Sequence, residues 1–154
     1  MTDELRIPKR RAQVELVLSG GARLHVGFFL AEFAGSHAGH ERLSDLLNGR
    51  DNFLPAFDAG SETMTFVARG SIAAATVGQE WEPATDVGEA ERHEVEIGLL
   101  GGTVLRGALH FLLPPDRSRL LDHLNDAQPF LRLEQGDKVV LVNKRQIARV
   151  SKVK

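Results

Sequence analysis

The chain writes one passage twice. Residues 42–54 read RLSDLLNGRDNFL, and residues 119–131 read RLLDHLNDAQPFL. Arg42/Arg119, Leu43/Leu120, Asp45/Asp122, Leu47/Leu124, Asn48/Asn125, Phe53/Phe130 and Leu54/Leu131 match at one separation, 77. Seven identities fall in thirteen positions, where about one is expected from ordinary composition. Internal duplication therefore constrains the fold to two copies of one small unit. Upstream, VELVLSGG (14–21) answers VEIGLLGG (95–102), and downstream FVARGSI (66–72) answers LVNKRQI (141–147). The copies span 12–78 and 93–153, joined by an acidic linker over 79–92 that carries Trp81 and Pro83.

Local patterns predict the same elements in each copy. Val14, Leu16 and Leu18 alternate, as do Val95, Ile97 and Leu99, which is the period of a half-buried strand. Gly20-Gly21 and Gly101-Gly102 follow, supplying the positive φ that a tight hairpin requires. RLHVGFFLAEF and VLRGALHFLL read as second strands, each interrupted by a glycine, Gly27 or Gly107. The shared RLxDxLN places leucines at helical spacing over about two turns, too short to stand without packing on a sheet. NFLPAF and PFLRL then read as third strands, TMTFVARG and KVVLVNK as fourth, SIAAATV and QIARVSKV as fifth. Five short strands with one inserted helix between the second and third can close into a small barrel. Units near 60 residues bury little surface alone, so the copies are expected to pack about a pseudo-twofold axis.

Composition narrows the function classes. Apolar residues make up 42% and charged residues 26%, which permits a buried core. The polar opening TDELRIPKRR and the absence of cysteine point away from export and toward a reducing, cytoplasmic setting. The net charge of −2 gives no overall field for polyanions. Basic residues gather at Lys9, Arg10 and Arg11 and again over the last seventeen residues, which contain no acid. Catalytic signatures are missing: no cysteine nucleophile, no Gly-x-Ser-x-Gly, no phosphate-binding glycine loop with lysine, no His-Glu-x-x-His. The chain is read as non-enzymatic, with no cofactor.

Several short runs resemble the Sm-like (SH3-like) family of small five-stranded barrels. GTVLRGALHF (102–111) fits that family's Gly-x-x-apolar-x-Gly run across the first hairpin, and GARLHVGFFL (21–30) fits it with one extra residue. DNFLPAFDA (51–59) is similar to its Asn-apolar entry to the third strand, and ARGSI (68–72) to its Arg-Gly turn before the fifth. The resemblance implies tandem Sm-like barrels that assemble edge to edge. It also implies an RNA-base pocket at Asn52 and Arg69, backed by Lys9, Arg10 and Arg11. In the second copy those pocket positions hold Pro129 and Lys144. The helical RLxDxLN insertion departs from the Sm-like pattern. RLxDxLN…FL is also similar to a group of bacterial proteins to which no activity attaches.

Three constellations compete with structural explanations. Arg42, Asp45, Asn48 and their echoes Arg119, Asp122 and Asn125 recur as a fold would require, since Asp and Asn near helix ends bond local backbone. His37, His40 and Glu41 sit in a glycine-rich loop that lacks further ligands, so no metal site is expected. RIPKR (6–10) has the Arg-x-x-x-Arg spacing of PilZ-type barrels, but the companion Asp/Asn-x-Ser-x-x-Gly motif is missing downstream. The sequence reading is a non-catalytic protein-interaction or assembly module, self-associating through its edge strands. The alternative is an Sm-like RNA binder.

Overall fold

Alternating apolar side chains give both copies the same succession of elements. The computed structural model describes residues 9–34, 39–84, 91–111 and 120–153. The first copy forms β1 (Lys9–Leu18), β2 (Arg23–Ala31), α1 (Leu43–Leu47), β3 (Phe53–Asp58), β4 (Thr63–Ala68) and β5 (Ile72–Gly78). The second forms β6 (Glu91–Leu99), β7 (Val104–Phe111), α2 (Leu120–Leu124), β8 (Phe130–Gln135), β9 (Lys138–Asn143) and β10 (Ile147–Lys152). A single 3₁₀ turn, Arg69–Ser71 or Lys144–Gln146, precedes each fifth strand.

Backbone bonds repeat with the sequence. Leu18 N–H donates to Ala22 O and Leu99 N–H to Thr103 O, both at 2.8 Å. Ser19 N–H donates to Ser71 O and Leu100 N–H to Gln146 O, again at 2.8 Å. Gly20, Gly21 and Gly102 adopt positive φ, as the hairpins require. Gly101 has a different reason to be glycine: a Cβ there would lie 3.0 Å from the backbone nitrogens of Gly20 and Gly21. The first hairpin turns of the two copies touch.

All ten strands belong to one antiparallel sheet in the order β10-β6-β7-β8-β9-β5-β1-β2-β3-β4. Each copy thus contributes its strands in the same internal order. Two expectations are corrected here. The sheet is open, and among the described residues no ladder closes β4 on β5 or β9 on β10. The copies also meet through non-equivalent strands, β5 of the first against β9 of the second, rather than symmetrically. The physical reason is one and the same: β5 and β9 spend their free edges on each other.

That junction explains two unusually apolar strands. Ala74 faces Val142, Ala75 faces Leu141, Thr76 faces Val140 and Val77 faces Val139. Ala75, Val77, Val139 and Leu141 point into a core with Phe28, Leu43, Leu47 and Leu54. Ala73, Ala74, Val140 and Val142 point into a second core with Ile97, Leu109, Leu131 and Leu133. Strands covered on both faces read as continuous apolar runs. The short helices are held by packing: Leu43 and Leu47 are fully buried, and Leu120 sits against the second core.

The predicted linker is partly structural. Gln79–Trp81 is a 3₁₀ turn, and β6 already begins at Glu91. Glu82 is buried. Its carboxylate accepts from Ser44 N–H at 2.9 Å and from Ser44 Oγ at 2.7 Å, at the start of α1. Arg132, on β8, donates to the Glu82 carbonyl at 2.7 Å. The segment ties the first copy's helix to the second copy's third strand.

Candidate functional site

Two strand edges end the sheet, β4 on the first copy and β10 on the second. Strand β4 presents its larger apolar side chains outward. Met64 and Phe66 are 53% and 69% exposed, while Val67 is buried in the core below. Phe57 and Pro55 lie opposite Met64 and Phe66 on β3, and Phe53 at the start of that strand is 62% exposed. The equivalent residues of the second copy are Val139, Leu141 and Phe130, at 0%, 1% and 5%. One set is covered by β5 and the first copy's core; the other has open solvent before it.

The opposite edge is basic. Arg149, Ser151 and Lys152 are exposed along β10, with Ile147 and Val150 resting on the second core. Arg149 reaches Glu96 at 3.4 Å, and Arg106 reaches it at 2.8 Å. The hydrogen bond from Arg106, followed by its charge and that of Arg149, outweighs the effect of burial and holds the Glu96 carboxyl below its ordinary range. At the β4 edge, Asp58 ends β3 and Glu62 lies in the turn entering β4.

The residues of the RNA reading do not form one cationic surface. Arg69 and Asn52 do line a cleft of about 350 Å³ at the junction of the copies, with Gly70, Pro129, Phe130, Asn143 and Arg145. However, the Arg69 guanidinium donates to the carbonyls of Gly49 and Leu47, just beyond and at the end of α1. Lys144 makes the corresponding contact after α2, reaching Asp126 O at 3.3 Å and its carboxylate at 2.8 Å. The Arg69 N–H bonds Asn52 O, and the Lys144 N–H bonds Pro129 O, so the shared feature is backbone geometry. Strand alternation separates the N-terminal cluster. Arg10 lies over Trp81 at 4.6 Å, whereas Arg11 lies over Phe57 at 4.8 Å and Phe29 at 5.8 Å; Lys9 is exposed at the strand's start.

The recurring polar residues mostly serve the backbone. Asp45 Oδ2 accepts the Arg42 N–H at 2.8 Å, ordering the first turn of α1. Asn48 Oδ1 accepts from Phe130 N–H at 2.9 Å, across the junction. Asp122 occupies the first turn of α2, and Arg119 lies outside the described residues. Asn125 follows α2, is exposed, and its side-chain amide has no partner among the described residues. His40 Nδ1 bonds Glu32 O at 2.6 Å, and Glu41 accepts from Ala31 N–H; His37 is outside the described residues. Among the described residues no cluster of three His, Cys, Asp or Glu could hold a metal, and no helix is long and apolar enough to cross a membrane.

Beside α2, His123 stacks on Phe111 at 4.3 Å, and Phe111 on His93 at 5.0 Å. Burial pushes the His123 imidazole below its ordinary value, with Asp126 acting in the opposite sense. Burial would raise Asp126, but the Lys144 hydrogen bond and charge and the Gln128 N–H hold it low.

Sequence reasoning did not single out the exposed Phe53 and Phe66. The available signal was the contrast TMTFVA against KVVLVN. One fourth strand alternates, with its bulkier apolar set on one face; the other is apolar throughout. Comparison with protein-family profiles, curated proteins and solved structures found no match.

Proposed function

We propose that the chain is a non-catalytic assembly module of two Sm-like units, working in the cytoplasm and binding protein through its edge strands. The supporting observation is the difference between Phe66 at 69% exposure and its echo Leu141 at 1%. An apolar edge strand with open backbone groups favours strand addition by another polypeptide. The reading assigns no role to a cofactor or to catalysis.

RNA binding is the second reading, favoured by exposed Phe53 and Phe66 on a sheet face where Arg11 overlies Phe57, since aromatics on a sheet can stack bases. Against it stand the carbonyl contacts of Arg69 and the acidic net charge. A fluorescence-anisotropy titration with single-stranded RNA at low salt separates the two. The protein reading predicts no salt-sensitive binding. Tight binding that weakens steeply with salt and disappears in Arg11→Ala would overturn it.

A further inference from the structure

The two copies turn the same sheet face outward with different chemistry. Strand register fixes the equivalence. Arg11 lies opposite Phe29 as Arg92 lies opposite His110, and Gly27 lies opposite Phe57 as Ala108 lies opposite Glu134. In the second copy this face is a ladder of paired charges. The Arg92 guanidinium donates to the Glu94 carboxylate at 2.6 and 2.9 Å and contacts His110 at 3.0 Å, while His110 lies 2.6 Å from Glu134. Charged side chains so arranged belong in water.

The first copy keeps the arginine and changes what surrounds it. Gln13 stands in the place of Glu94, Phe29 in that of His110 and Phe57 in that of Glu134. Among the described residues Arg11 makes no ion pair, and its guanidinium lies over Phe57 and Phe29 instead. Gly27 admits it, since a Cβ there would collide with the Arg11 stem. Phe57 and Pro55 carry the apolar surface across to Met64 and Phe66. Strand and pleat spacings make this a patch of roughly 300 Å², within the range where exposed apolar surface marks a contact.

Charge indicates what covers it. Lys9 and Arg11 stand at one corner of the patch, on β1, and Asp58 and Glu62 at the opposite corner, on either side of the turn from β3 to β4. Among the described residues neither Lys9 nor Glu62 has a charged partner. A patch with opposite charges at opposite corners is complementary to a copy of itself.

We infer that two molecules of this chain pack these faces together about a two-fold axis lying in the contact, along the diagonal from Gln13 to Phe66. With the four strands laid out in register, rotation about that diagonal sets Phe29 of one molecule on Phe57 of the other. The same rotation sets Lys9 against Glu62 and Arg11 toward Asp58. Each contact is made twice, as an isologous interface requires. The strands of the two sheets cross steeply, near the orthogonal class of sheet packing. The assembly closes at two molecules, adds no strand to either sheet and leaves the backbone edges of β4 and β10 open. It goes beyond the edge-strand reading and can fail without it.

Sedimentation equilibrium of the full chain tests this. The wild type is expected to show a monomer–dimer equilibrium. Gln13→Glu, Phe29→His and Phe57→Glu together write the second copy's ladder into the first, on a backbone that already carries it once. This triple variant is expected to be a folded monomer, with urea unfolding checking the fold. Charge reversal gives a second test without apolar changes. Lys9→Glu and Glu62→Lys are each expected to weaken dimerisation about tenfold, because two attractive pairs become repulsive. The two variants mixed, or both changes in one chain, are expected to restore it. A wild type that is monomeric at every concentration overturns the two-fold contact. So does a triple variant that dimerises as the wild type does, or a pair of reversals that fail to rescue each other. A monomeric wild type whose binding of single-stranded RNA is lost in the triple variant overturns it too, and gives the face to RNA.

Discussion

Asn48 Oδ1 accepts the backbone N–H of Phe130 at 2.9 Å, joining residues eighty-two positions apart. The bond fastens the end of α1 in the first copy to the first residue of β8 in the second. Asn48→Ala leaves that N–H without its partner and is expected to cost about 1–2 kcal/mol. Urea unfolding measures it. Asn125→Ala, at the exposed echo, is expected to change monomer stability by less than about 0.5 kcal/mol. Equal losses at both positions would contradict the distinction.

Glu82 gives a second handle on the junction. Its buried carboxylate holds both Ser44 groups, and Arg132 contacts its carbonyl and lies 3.6 Å from the carboxylate. Glu82→Ala leaves the Ser44 hydroxyl and its helix-start N–H without their acceptor and removes one of the two carboxylates beside Arg132, for an expected loss of about 2–3 kcal/mol. Glu82→Gln keeps an acceptor for Ser44 and should lose less. Thermal unfolding of the two variants side by side checks the order.

Arg69 is expected to matter for stability. Its guanidinium satisfies carbonyls at and just beyond the end of α1, so Arg69→Ala should destabilise by about 1–2 kcal/mol. Arg69→Lys copies what Lys144 does in the second copy and should recover part of the loss. Denaturation midpoints for the pair decide this.

Acid should loosen the second copy first. The His123 imidazole is held below its ordinary 6.5 by burial, so the folded state binds fewer protons than the unfolded state in that range. Its contribution is fully present above 6.5 and is lost as pH falls through the depressed folded value. Asp126, also held low, adds a further loss at more acidic pH, as its bond to Lys144 breaks. Unfolding midpoints measured from neutral pH downward should therefore decline. His123→Phe, which keeps the stack on Phe111, should flatten the first part of that decline.

Much of the fold was legible because its determinants are local or repeated. The alternation of Val14, Leu16 and Leu18, the Gly20-Gly21 turn and the leucines of α1 each point to one element, and the duplication doubles every reading. What stayed illegible is which strands meet. SIAAATV and KVVLVNK are apolar on both parities because each lies between two cores, a signal that they pair with one another. Closure of each copy into its own barrel competed with that pairing, and sequence patterns do not rank two partners for one edge. At the candidate site, Asn52 and Arg69 line one cleft, but no sequence pattern shows that a guanidinium is committed to carbonyls of its own chain. The exposure of Phe66 follows from its strand being an edge, a property of the whole sheet.

Amide hydrogen exchange over a series of protein concentrations reads the two edge strands on which the proposed assembly role rests. Protection over 63–68 or over 147–152 is expected to rise with concentration as an open edge takes up another polypeptide. Protection that stays flat in both segments at every concentration would contradict the proposal.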